Sequence, residues 1–169
     1  MKIRLLLNFC LLAWGAAAYG QNINTKQTPG AIAGTYSLIL VDNLLTNGSR
    51  VHLYGDHPHG ILIMDDKGNY SLQIVSEGRP KFTSGDKGKG TDEENKLAIR
   101  GCNAHFGTYN IDTLKHTVTF TINHASFPNW EGTKQVRPFE FDGKVFKYTV
   151  PAPTTGGSAK GEVVWMRIE

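Results

Sequence analysis

Cysteine is nearly absent: Cys10 and Cys102 are the only two, and Cys10 lies in a segment with the marks of a removable export signal. One remaining thiol cannot close an internal disulfide, so the fold must stand on packing even in an oxidising compartment. A surplus of one charge is lacking too. The chain has 18 Lys and Arg against 15 Asp and Glu, and loss of Lys2 and Arg4 with the signal leaves 16 against 15. Such a near-neutral chain offers no electrostatic basis for holding nucleic acid or an anionic membrane. Gly-x-Ser-x-Gly, a phosphate loop and a dinucleotide fingerprint are all missing, which leaves the common hydrolase and nucleotide-dependent classes without their usual markers. Internal repeats, heptads and low-complexity tracts are missing as well.

Long apolar runs are lacking with one exception. Lys2 and Arg4 form a basic start, Leu5 to Ala18 is apolar apart from Asn8 and Gly15, and Ala18-Tyr19-Gly20 places small residues at the end. This is the three-part layout of a secretory signal peptide over residues 1–20. A retained anchor is the alternative, but the run is short against the roughly 20 residues a span needs. The residues before Cys10 (Leu7-Asn8-Phe9) are not the small ones that precede a lipidated cysteine. Removal of 20 of the 169 residues leaves 149, the size of one ordinary domain. The expected location is secreted or periplasmic, with no membrane span after cleavage. Residues 21–32 are mostly polar and aperiodic and read as a leader to a domain over residues 33–169.

What the domain does have is short alternating runs punctuated by turn residues. Strands are expected over Gly34–Leu45, Ile61–Asp65, Tyr70–Ser76, His105–Asp112, Thr117–His124, Val136–Phe141, Val145–Val150 and Gly161–Glu169, with a short return strand at Arg50–Tyr54. Asn47-Gly48 is a strong hairpin signal, and Asn47-Gly48-Ser49 is also a glycosylation sequon in a eukaryotic host. Glu77–Lys96 interrupts the rhythm with glycine and charge, and Thr154–Gly157 reads as a flexible stretch. Asp92–Arg100 is expected to be a short helix, with Thr91 as its cap and Glu94 three residues on. Period-two alternation with hairpin connections predicts an all-β domain, an eight-stranded antiparallel up-and-down barrel with one short helix in a long loop. Closure of such a meander removes the exposed edges.

Several phrases, in order, resemble one family. Gly34-Thr35-Tyr36 is similar to the Gly-x-Trp opening of lipocalins, with tyrosine in the tryptophan position. Tyr54-Gly55-Asp56-His57-Pro58, Gly60-Ile61-Leu62-Ile63 and the run from Arg79 to Asp86 follow. Phe106-Gly107-Thr108-Tyr109, Phe127-Pro128-Asn129-Trp130-Glu131-Gly132, Gln135-Val136-Arg137 and Trp165-Met166-Arg167 complete the set. Together they resemble the bacterial and fungal lipocalin-like domain family across nearly all of Gly34–Glu169. The resemblance implies a calycin-type barrel with an internal pocket and says little about chemistry. It also implies that Tyr36 packs against Arg167 of the last strand. Arg167→Lys is then expected to destabilise the domain, and Tyr36→Phe to cost much less because the ring face is kept.

Strand parity places Tyr70, Tyr109, Phe120, His124, Arg137, Phe139 and Tyr148 on inward faces, and these are the candidate ligand-binding residues. An eight-stranded barrel is just wide enough to be filled or to hold one small ligand. So many aromatics favour a compact, flat or aromatic ligand over a long acyl chain. Arg137 stands out, because a guanidinium taken from water needs a carboxylate of the protein, a carbonyl cluster or an anionic ligand head group. His57-Pro58-His59, with His52 nearby, is a weak metal pattern lacking the three or four converging ligands a zinc site needs. No metal, cofactor or catalytic residue is assigned. The leading expectation is a carrier of a small hydrophobic or aromatic molecule, gated by the Glu77–Lys96 segment. One alternative is an isomerase, cyclase or hydrolase using His124, Arg137 and Tyr109 (or Asp86) as acid–base groups. Another is a filled barrel with a structural or interaction role.

Overall fold

Alternation becomes sheet wherever every second side chain can be buried. The structure, a computed structural model, describes residues 31–153 and 160–169. The expected signal peptide, most of the leader and the Thr154–Gly157 stretch lie outside these. Among the described residues nine strands form one antiparallel sheet: β1 (Gly34–Leu44), β2 (Arg50–His52), β3 (His59–Met64), β4 (Asn69–Val75), β5 (Cys102–Asp112), β6 (Thr117–Ala125), β7 (Lys134–Phe141), β8 (Val145–Val150) and β9 (Lys160–Arg167). Each of β3 to β8 pairs with the next, and β1 pairs with both β3 and β9. Eight strands therefore close into a barrel without a free edge. β2 is a short flap on the far half of β1, with Asp42 opposite His52 and Leu44 opposite Arg50.

Local chemistry sets the corners. At the first hairpin Gly48 has φ 84° and Asn47 Oδ1 accepts from the Ser49 amide at 3.0 Å. The left-handed backbone there suits glycine, so the Asn-Gly signal is indeed a turn. α1 (Asp92–Arg100) begins with a full capping box. Thr91 Oγ1 accepts from the Glu94 amide at 3.2 Å, and Glu94 Oε2 accepts from the Thr91 amide at 2.8 Å. Glu94 also accepts from Thr83, and these bonds to the charged form hold its carboxyl down to about 2. The expected helix and its cap are thus both present.

The barrel has two unlike ends. One is shut by the β3–β4, β5–β6 and β7–β8 turns and by both ends of the described chain. There Arg167 lies opposite Tyr36, its guanidinium 5.4 Å from the Tyr36 ring centre and 5.0 Å from that of Phe141. It donates to the carbonyls of Ala31 (2.9 Å), Ala33 (2.8 Å) and Gly143 (3.3 Å) and to the Tyr36 hydroxyl (3.0 Å). Tyr36 in turn donates to the Ile32 carbonyl at 2.5 Å. The closure implied by the family resemblance is therefore present, with two refinements. Ile32, the last residue of the expected leader, is packed into the core. The Tyr36 hydroxyl is engaged twice, so the ring face is only part of its role.

From this end a stack of rings fills half the barrel. Tyr36 and Phe146 are 5.9 Å apart, Phe146 and Tyr148 5.6 Å, Tyr148 and Phe120 5.8 Å, and Phe120 and Tyr70 4.7 Å. Such offset and edge contacts are the favoured aromatic geometries.

Two bulges break the period of two. In β1 the register against β9 jumps between Leu38 and Leu40, so the buried parity moves from Tyr36 and Leu38 to Val41 and Asn43. In β6 Phe106 pairs with His124 but Gly107 with Ile122, which makes Asn123 the extra residue. A Cβ on Gly107 would overlap the Thr121 carbonyl, so glycine is what lets the bulge form.

Candidate functional site

The other half of the barrel is open. A cavity of about 470 Å3 lies there, reached between Leu53-Tyr54, the Trp130–Lys134 corner and Pro151–Pro153. That is within the size range of small-molecule sites. Phe120, Ile74 and Val163 contribute to its walls, and Trp130 stands at the rim with its ring edge-on to His105, the centroids 5.9 Å apart.

The expected site residues divide sharply. Phe120, Arg137 and Tyr148 line the cavity. Tyr70 lies one layer behind, its hydroxyl hydrogen-bonded to His105 Nδ1 at 2.8 Å. Tyr109 and Phe139 belong to the filled half. The Tyr109 hydroxyl donates to the Asp65 carbonyl at 2.6 Å, and Phe139 packs on Phe146 at 5.8 Å.

His124 is a correction. It is exposed, 68% by side chain, lies beside Phe106 on the outer wall, and has Nδ1 3.4 Å from Glu131 Oε1. The Asn123 bulge turns it outward. The gate is a second correction, because no residue of Glu77–Lys96 lines the cavity. That segment is pinned at its base by the Ser76 amide on Gly101 and the Glu77 amide on Tyr54, at 2.9 and 3.0 Å, and is braced internally through Glu94. Asp86 caps a 3-10 turn within it by accepting from the Gly88 amide at 2.9 Å. His52 binds the buried Asp42 at 2.7 Å, and among the described residues no three His, Cys, Asp or Glu side chains converge as metal ligands.

His105 is one of the cavity residues that sequence reasoning missed, with Asn103 and Trp130. It shares parity with Tyr109 and Ile111 on β5, so the same alternation that selected those two pointed to it. It is buried, and burial followed by the nearby Arg137 charge lowers its pKa to about 4, leaving a neutral imidazole at ordinary pH. Burial also raises the phenols of Tyr54 and Tyr70, and pushes Tyr148 up to about 12. Exposed Lys134 stands at the rim of the cavity, and further in neutral polar groups surround one cation.

That cation is Arg137. Parity on β7 turns it inward beside Gln135, whose Oε1 accepts from it at 2.5 Å. Burial lowers its pKa, the sign that its charge is incompletely solvated. Among the described residues it forms no ion pair with a carboxylate, while Arg50 has both Asp42 (2.9 Å) and Glu162 (2.7 Å) at the flap. The Asn103 amide, also lining the cavity, is bonded to Tyr54, and its Oδ1 is buried without a hydrogen-bond partner among the described residues.

A closed antiparallel barrel of eight strands, filled with aromatics at one end and hollow at the other, defines a calycin-type binding scaffold. The chain belongs to the lipocalin-like domain family, whose pattern matches residues 33–168. Over 114 residues it is 34% identical to the NifS/IcsS protein homolog of Lactobacillus delbrueckii subsp. bulgaricus, a match over 66% of this chain and 26% of that protein. The chain therefore spans about a quarter of that relative's length. Over 106 residues it is 26% identical to the 4'-hydroxy-3'-methoxypropiophenone carrier protein ppsC of Aspergillus oryzae, covering 58% of this chain and 96% of that protein.

Proposed function

We propose that this protein is an exported carrier that takes one compact aromatic or apolar molecule into the open half of its barrel. The observation that carries the reading is the cavity of about 470 Å3 above an aromatic floor. Its rim and walls combine rings and aliphatic groups with a few converging polar atoms, the usual composition of a small-molecule site. The Aspergillus relative is named as the carrier of a small aryl ketone, a molecule of the kind such a cavity suits. Acid–base catalysis fits less well. Of the groups considered for it, His124 is outside and Tyr109 is bonded at the closed end. The imidazole that does reach the cavity has a pKa of about 4, too weak a base for efficient proton abstraction near neutral pH.

Trp130 provides the test. Titration with aromatic ketones and acids is expected to quench its fluorescence saturably, and Trp130→Phe to remove the saturable part while leaving simple light absorption by the ligand. No saturable response to any member of an aromatic fragment set at millimolar concentration would remove the carrier reading. Export is checked separately: N-terminal sequencing of the protein outside the cytoplasm is expected to begin at Gln21, after Ala18-Tyr19-Gly20. A start within Leu5–Trp14 would sink it.

A further inference from the structure

Among the described residues that line the cavity, Arg137 and the exposed Lys134 are cationic and none is a carboxylate. Arg137 has the Gln135 amide oxygen as its hydrogen-bond partner, and every carboxylate in an ion pair among the described residues is engaged elsewhere. Residues 1–30 and 154–159, the stretches outside the described structure, contain neither Asp nor Glu. No protein carboxylate is therefore left to neutralise Arg137 from those segments. Around it are neutral groups: the Tyr148 phenol, the Asn103 amide and a His105 imidazole. A half-buried guanidinium in such surroundings is poorly compensated, and the missing partner is an anion. Asn103 Oδ1 adds a second unmet demand, for a hydrogen-bond donor.

We infer that the ligand is a small aromatic monoanion, its acidic oxygen paired with Arg137 and its ring held between Phe120 and Trp130. This rests on the carrier reading and narrows it. A carboxylate is one source of the charge. A phenolate is the other, since an acyl group para to a phenol withdraws charge and acidifies it, as in the ketone for which the Aspergillus relative is named. The planar guanidinium fork suits either oxygen, and a carboxylate can take both prongs. A hydroxyl or amide elsewhere on the ring would supply the donor for Asn103.

Calorimetric titration of the full chain tests this with two matched pairs. At pH 6, 3,4-dimethoxybenzoate is an anion and its methyl ester is neutral. Wild type is expected to bind the acid about ten- to a hundredfold more tightly, the range of one or two charge-assisted hydrogen bonds. Arg137→Met should bind both alike. In the second pair, 4'-hydroxy-3'-methoxypropiophenone is compared with 3',4'-dimethoxypropiophenone at pH 6 and pH 8.5. Affinity rising with pH for the hydroxy compound alone, and only with Arg137 present, identifies a phenolate. A flat response beside a strong acid preference identifies a carboxylate.

A stability measurement separates this from a structural arginine. Removing an uncompensated, half-buried cation should leave the thermal midpoint of the ligand-free protein unchanged or higher, whereas losing a structural ion pair would lower it. Neutral members binding as well as their anionic counterparts, or Arg137→Met keeping the preference, overturns the inference and leaves the carrier reading intact. Binding of none of the four compounds, with no Trp130 response to the fragment set, removes both.

Discussion

His105 shows how one buried side chain can tie folding to proton concentration. Its folded pKa is about 4, below the ordinary value of about 6.5 for an exposed imidazole. Between those two values the unfolded chain binds more protons than the folded one, so stability falls as pH drops through that window and is full above it. The interval corresponds to roughly 3 kcal/mol at most. His105→Gln, which still offers the Tyr70 hydroxyl a partner, should flatten that part of the curve. Urea midpoints at pH 7 and pH 4.5 for both proteins check this, and equal slopes would mean that His105 is hydrated.

Arg167 and Tyr36 make a second pair of predictions at this scale. Lysine cannot span the Ala31, Ala33 and Gly143 carbonyls as the guanidinium does, so Arg167→Lys should cost about 1–3 kcal/mol. Tyr36→Phe removes a donor to the Ile32 carbonyl and an acceptor for Arg167, and should cost about 1–2 kcal/mol rather than little. Chemical denaturation of the three proteins measures both.

At the scale of the element, the bulge in β6 decides which residues face the cavity. Val118, Phe120 and Ile122 alternate inward, and Asn123 then consumes a residue without advancing the register. Gly107→Ala should therefore be damaging out of proportion to one methyl group, because the added carbon meets the Thr121 backbone rather than a movable side chain. A loss of about 1–3 kcal/mol is expected, the range for overpacking, and the thermal midpoint reports it. Here the limits of the sequence become physical. Period-two alternation told in from out for Tyr70, Phe120, Arg137 and Tyr148, because each lies on a strand stretch without an insertion. It failed for His124 because the only sign of the bulge is a glycine on the neighbouring strand, visible as such once the two are paired. The Thr91–Glu94 capping box was legible because its partners are three residues apart. The cavity was not, because its rim is assembled from Leu53, Trp130 and Pro151, which are distant in the chain.

For the molecule as a whole, the division between filled and hollow halves runs through Phe120. Its ring touches Tyr70 and Tyr148 below and the cavity above, and it is 2% exposed. Phe120→Ala should cost about 3–5 kcal/mol and deepen the pocket toward Tyr70, so that bulkier aromatics bind relative to wild type. A stability loss well under ~1 kcal/mol would contradict its burial. The described helices include none long and apolar enough to cross a membrane.

The closed end has a geometric corollary. The Thr35 amide donates to the Glu169 carbonyl at 3.0 Å, and Arg167 reaches back to Ala31, so the chain enters and leaves the barrel at one pole while the mouth is at the other. A tether on either side of the domain pulls from beneath the floor, never across the opening. Glu169 and Ala31 are near enough to be bridged by a short linker, and the exposed Asp142–Gly143 turn could then be cut to give a circular permutant with its mouth untouched. Surface-based sensing through either end should accordingly give the same association rate, because neither orientation shades the entrance.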